Sequence, residues 1–184
     1  MVARRLSRAR TAMGDEATEA RFREALQRPA IVHVASHAVM SGESPMFSNV
    51  RLALPNSPNA RTDDNGRLET HEVLALTLRA PLVFLSGCET ALGTAWSNSY
   101  AHGDDYATLA QAFLFAGAHN VVATLWRIDD RGAAAFADKF YERLDSAPPP
   151  AALAAAQRAF IADRRYMLPY YWAAYTVTGS GRLH

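Results

Sequence analysis

One cysteine, Cys88, stands in the whole chain, so neither an internal disulfide nor a cysteine-built zinc cluster can form within it. No apolar run is long enough to cross a bilayer, and nothing near the amino terminus has the apolar stretch of a signal peptide. Charge of one sign is also missing: the net charge of +1 gives no global field to draw nucleic acid or an anionic membrane. A Gly-x-Ser-x-Gly elbow, a P-loop, a dinucleotide fingerprint and internal repeats are all absent from the sequence. What remains is a cytoplasmic protein with no cofactor, no metal, no nucleic-acid partner and no membrane partner.

What is present suits one folded domain. The 184 residues fall within the usual size of a single unit, and 49% hydrophobic content is enough for a substantial core. We read 1–184 as one domain, with 1–13 as an arm at the edge of a longer protein. Arg4, Arg5, Arg8 and Arg10 crowd that arm, as a solvated helical segment would. The abundance of alanine and arginine points to a bacterial source with GC-rich DNA.

Along the chain, helix and strand signals alternate. Residues Ala17 to Gln27 carry Phe22, Ala25 and Leu26 at helical spacing, and Pro29 stops that helix. Ile31 to Ser36 is a β-branched run that suits a buried strand, with His37 directly after it. Val39 to Arg67 turns rich in Gly, Ser, Pro and Asn around the alternating stretch Val50–Leu54, and Asn65-Gly66 is a good hairpin turn, so a small β-hairpin excursion is expected. A short helix over Glu69–Leu76 precedes Pro81–Gly87, an almost continuous apolar run of the kind that forms a central strand, with Cys88 at its end. A helix over Asp104–Ala116, a strand over Asn120–Trp126, helices near Arg131–Leu144 and Ala151–Ala162, and a last strand over Tyr171–Thr178 complete the pattern. This order predicts an α/β three-layer sandwich with a mainly parallel central sheet. Ligands of such sheets bind beyond the carboxyl ends of the strands, where His37 and Cys88 both fall.

A thiol of ordinary pKa, about 8.5, is mostly protonated at neutral pH, and a neighbouring imidazole can take its proton and later give one to a leaving amine. N–H donors must also meet the oxyanion, and Gly87 lets the backbone turn beside Cys88, whose own N–H is one candidate. The interval from His37 to Cys88 is 51 residues, near the interval of about 50 typical of caspases.

Three stretches then carry a resemblance: AIVHVASHAVMSGESPMFSNVRLAL, NGRLETHEVLALTLRAPLVFLSGCETALGT and GDDYATLAQAFLFAGAHNVVATLWRIDD. Together with FYERL, AALAAAQRAF and PYYWAAYTVTG they resemble the CHAT peptidases, relatives of caspases and separases, over roughly Gly14 to Gly179. The resemblance implies a caspase-like fold, His37 as general base, Cys88 as nucleophile, and a protein or peptide substrate. It also implies regulation by an upstream sensor or repeat region, or by a partner protein. The family usually has Gly after the histidine; Ala38 keeps the N–H for the oxyanion but adds a Cβ where substrate backbone approaches.

Residues beside the pair complete the expected site. Gly87, Glu89, Asp104, Trp126 and Asp129 are the candidates for binding substrate. Trp126 is read as a pocket wall, and Asp104, Asp105 and Asp129 as partners for a basic side chain. Helix N-terminal charge accounts equally well for Asp104 and Asp105. Two other patterns are set aside. Thr62–Glu72 imitates a calcium loop but places Arg61 at its first position, and His33 and His37 lie four apart on a strand with no further ligand. Two other functions compete with the endopeptidase: a non-catalytic caspase-like module that binds a partner protein, and a thiol hydrolase of small acyl substrates.

Overall fold

The computed structural model describes residues 9–41, 43–56, 64–86 and 109–183. The strands are β1 (Val32–Val34), β2 (Ala38–Val39), β3 (Asn49–Arg51), β4 (Arg67–Glu69), β5 (Val83–Leu85), β6 (Asn120–Thr124) and β7 (Tyr175–Gly179). The helices are α1 (Glu19–Leu26), α2 (Thr70–Leu74), α3 (Leu109–Phe115), α4 (Asp130–Leu144), α5 (Pro149–Ala162) and α6 (Pro169–Trp172). The central sheet has the order β1-β5-β6-β7; β1, β5 and β6 run parallel, and β7 returns antiparallel to β6. A second, antiparallel sheet has the order β2-β3-β4.

Strand alternation explains the layers. Successive side chains of a strand point to opposite faces. On β5, Val83 and Leu85 enter one core and Phe84 the other; on β6, Val121 and Ala123 separate from Val122 in the same way. The first core is closed by Phe22 and Leu26 of α1, Val73 of α2, and Leu109 and Phe113 of α3. The second is closed by Phe136, Phe140 and Tyr141 of α4, and by Ala152, Leu153, Ala156 and Phe160 of α5. Burying each large apolar side chain is worth about 1.5–3 kcal/mol, so both faces contribute to holding the middle strands. The result is the caspase-like α/β sandwich, with helices on both faces of a mainly parallel sheet.

Two expectations need correction. The last strand spans Tyr175–Gly179 rather than Tyr171–Thr178, because Pro169 opens the short helix α6 through Trp172. Proline lacks an N–H and has a helix-ready φ, so it suits a first helical turn, and the aromatic run after it does not extend. Asn65-Gly66 does not join two strands directly; Gly66, at φ +74°, accepts from the Leu52 N–H at 2.8 Å and leads into β4. The excursion is thus a three-stranded sheet, with β2 as the strand unforeseen from sequence.

Candidate active site

Parallel pairing of β1 and β5 positions the candidate histidine. The register joins Val32 to Val83, His33 to Phe84 and Val34 to Leu85, so each β1 residue lies beside the one 51 positions later. The same interval separates His37 from Cys88 in the sequence. Beyond the strands, the Ser86 N–H donates to the Val34 carbonyl at 2.7 Å, keeping the two chains together as they leave the sheet.

His37 is exposed, and its backbone is held from β3. The Arg51 N–H donates to the His37 carbonyl at 2.8 Å, and the Ser36 hydroxyl donates to the Arg51 carbonyl. Ser36 and Arg51 had no place in the sequence reading, since the contact joins residues with no shared motif. Ala38 follows on β2, opposite Val50, and Val39 lies opposite Asn49. Antiparallel pairs alternate between bonded and non-bonded types. The bond between Arg51 and His37 makes Ala38–Val50 a non-bonded pair, so the Ala38 N–H points away from β3 toward the open edge of its sheet. Ala38 lies on an extended strand, so the backbone conformation at this position does not itself demand glycine.

His33 is directed into the second core. It stacks on Phe84 with centroids 4.8 Å apart, and its Nδ1 lies 3.1 Å from the Tyr141 hydroxyl. Burial pushes its pKa down to about 4 and pushes the Tyr141 phenol up. It is therefore a packed core residue apart from His37. Among the described residues, no group of three or more His, Cys, Asp or Glu is arranged to hold a metal ion. Glu72, the last position of the apparent calcium loop, instead accepts from the Glu69 N–H at 2.9 Å and bonds Arg23 at 2.6 Å.

At the carboxyl end of β6, Trp126 and Asp129 both have internal partners. Trp126 lies past the strand, which ends at Thr124, and its indole N–H donates to the Tyr170 carbonyl at 2.9 Å. Asp129 is the N-cap of α4, with Oδ1 accepting from the Arg131 N–H at 3.1 Å and the Gly132 N–H at 3.0 Å. That use of Asp129 follows the N-cap preference of aspartate and was open to sequence reading. A cleft of about 340 Å³ opens beside these residues, lined by Arg127, Ile128, Asp129, Asp130 and Tyr170. Cys88, Gly87, Glu89, Asp104 and Asp105 lie outside the described residues.

Comparison with known proteins follows the same line. The family model described as the CHAT domain matches residues 1–180. Tetratricopeptide repeat protein 28 of Mus musculus is 30% identical over 114 residues, which is 61% of this chain and 4% of that protein. The chain thus matches a small part of a far longer relative. Among the described residues, no helix is long and apolar enough to cross a membrane.

Proposed function

Since the chain belongs to the CHAT-domain family, a caspase-like and peptidase-related group, we propose that it is a cysteine endopeptidase acting through Cys88 and His37. The observation that carries this reading is the shared interval of 51 residues. The β1–β5 register has it, and so does the candidate pair. Cys88 follows Ser86 by two residues, a reach of at most about 7 Å, and Ser86 is bonded to the strand that delivers His37.

In this mechanism His37 takes the proton from the Cys88 thiol as sulfur attacks the scissile carbonyl carbon. The carbonyl π bond opens, and the oxyanion is met by the N–H groups of Ala38 and Cys88. The outward direction of the Ala38 N–H supports its part in this role. Collapse of the intermediate breaks the C–N bond, with His37 protonating the leaving amine. Water, deprotonated by His37, then attacks the thioester, and the thiol leaves with its proton restored. Gly87, Glu89 and Asp104 are assigned to substrate binding in this proposal. An upstream sensor or repeat region regulates the site in this proposal; the mouse relative is itself a tetratricopeptide repeat protein.

Labelling with an electrophilic peptide probe tests the reading. Labelling of the native chain that is lost in both Cys88→Ala and His37→Ala is the expected result. Labelling that ignores His37 would mean a merely accessible thiol. The second reading, a non-catalytic module that binds a partner protein, draws on Ala38, and no labelling at all together with intact folding would favour it.

A further inference from the structure

His37 stands where the chain passes from one sheet to the other. β1 ends at Val34 in the central sheet and β2 begins at Ala38 in the small one, so Ala35, Ser36 and His37 make the crossing. His37 is exposed, so packing does little to hold its ring, and the backbone must set the direction in which it points. Both ends of the crossing are anchored. The Ser86 N–H donates to the Val34 carbonyl at 2.7 Å, and the Arg51 N–H donates to the His37 carbonyl at 2.8 Å.

Two anchors do not fix what lies between them. Each residue keeps two soft dihedrals, so a short segment held at its ends can still turn about the line joining them. The His37 Cα–Cβ bond would turn with it, and the imidazole further still. The half-buried Ser36 supplies a third anchor, its hydroxyl donating to the Arg51 carbonyl. Ala35 has no side-chain donor, so this task falls to Ser36. One residue of β3 thereby grips the chain on each side of the His37 Cα: the Arg51 N–H binds the carbonyl after it, and the Arg51 carbonyl receives the hydroxyl before it. Arg51 is itself locked in the ladder, opposite Arg67 of β4.

We propose that Ser36 is a positioning residue for the general base: through the Arg51 carbonyl it fixes the direction in which the His37 side chain leaves the backbone. The proposal rests on the peptidase reading of Cys88 and His37. Its consequence is specific to proton transfer. A general acid acts from within hydrogen-bond reach of the atom it protonates, and misplacement by about 1 Å can cost on the order of 100-fold in rate. An amine leaving an amide needs a proton from His37, whereas an aryl oxide leaves an activated ester without one. Loss of the Ser36 hydroxyl should therefore slow cleavage of an amide more than cleavage of an aryl ester of the same acyl group. The fold should survive that loss, because a single half-buried hydrogen bond contributes modestly to stability.

A peptide that the native chain cleaves, drawn from a proteome-derived library, and the aryl ester of its acyl half test this in Ser36→Ala and Ser36→Thr. In Ser36→Ala, kcat on the peptide should fall about tenfold with KM held, and the ratio of peptide to ester kcat/KM should fall several-fold. That ratio comes from one sample, so any unfolded fraction cancels from it. Ser36→Thr keeps the hydroxyl and should restore the ratio. A ratio that Ser36→Ala leaves unchanged, or that Ser36→Thr does not restore, overturns the positioning role alone. Absence of both cleavage and His37-dependent labelling in the native chain overturns the peptidase reading, and this assignment with it.

Discussion

The Ser86 N–H donates to the Val34 carbonyl at 2.7 Å, and this bond joins the chain two residues before Cys88 to the chain three residues before His37. Whatever the two segments do, they leave the sheet as neighbours. The parallel ladder below them sets their relative height, because Val32, His33 and Val34 are locked against Val83, Phe84 and Leu85. Catalysis by a dyad needs that kind of fixed relation, since misplacement of reacting groups by about 1 Å can cost on the order of 100-fold in rate.

Ala38→Pro should separate chemistry from folding. The Ala38 N–H takes no part in pairing with β3, and proline is tolerated on edge strands. Loss of one oxyanion donor should lower kcat by about 100-fold or more while the melting temperature stays close to the parent's. Steady-state kinetics beside thermal melting checks both. An unaltered kcat would remove Ala38 from the oxyanion site.

Trp126→Phe should act on binding. It keeps most of the ring but removes the N–H that donates to the Tyr170 carbonyl. KM for a peptide substrate should rise several-fold, with kcat held, as expected when a uniform binding interaction is lost. Equal loss of kcat would place Trp126 closer to the chemistry than this structure assigns it.

His33 predicts an acid-sensitive fold. Burial against Phe84 and Tyr141 lowers its folded pKa to about 4, against about 6.5 when unfolded. The unfolded chain therefore binds the extra proton first, and stability is lost as pH falls from about 6.5 through about 4. The loss is on the order of 3 kcal/mol at the lower end. Urea denaturation across this range should show the slope, and His33→Phe, which retains an aromatic ring beside Phe84, should flatten it. Glu19 acts in the opposite sense, because burial raises its pKa, and it cancels in the difference between the two profiles.

Arg23→Ala should be among the costly surface-proximal changes. Its guanidinium bonds both Glu19, whose side chain is only 1% exposed, and Glu72, tying α1 to α2. Among the described residues, the Glu19 Oε2 already has no hydrogen-bond partner. Removing the cation leaves a buried carboxylate unpaired, a loss of about 3–5 kcal/mol. Thermal or urea unfolding measures it, and Glu19→Gln/Arg23→Met should recover much of the loss.

Much of the fold was legible. The β-branched run before His37 and the apolar run before Cys88 announced buried strands of the main sheet, because local periodicity and composition report burial directly. The strand after them and both long helices near the carboxyl end also fell close to their expected places. Legibility failed where a residue's partner is remote or a local signal was outweighed. Pro169 turned an aromatic, strand-like run into α6. Asp129, read as a charge for substrate, also caps the first turn of α4, a local use that the aspartate N-cap preference made readable. Trp126 is turned by its bond to Tyr170, 44 residues away, toward a segment whose exposed side chains carry no motif.

By itself, the sequence determined the alternation of strand and helix, the positions of His37 and Cys88 just beyond two apolar strands, and the 51 residues between them. These follow from side-chain patterns a few residues long and from simple counting. Only the tertiary structure decided that the β1–β5 register has that same interval, that the Ala38 N–H faces the open edge, and that β7 runs antiparallel. Those are choices of long-range pairing. Their free energy lies in contacts between segments far apart in the chain, and no local pattern encodes which backbone groups will meet.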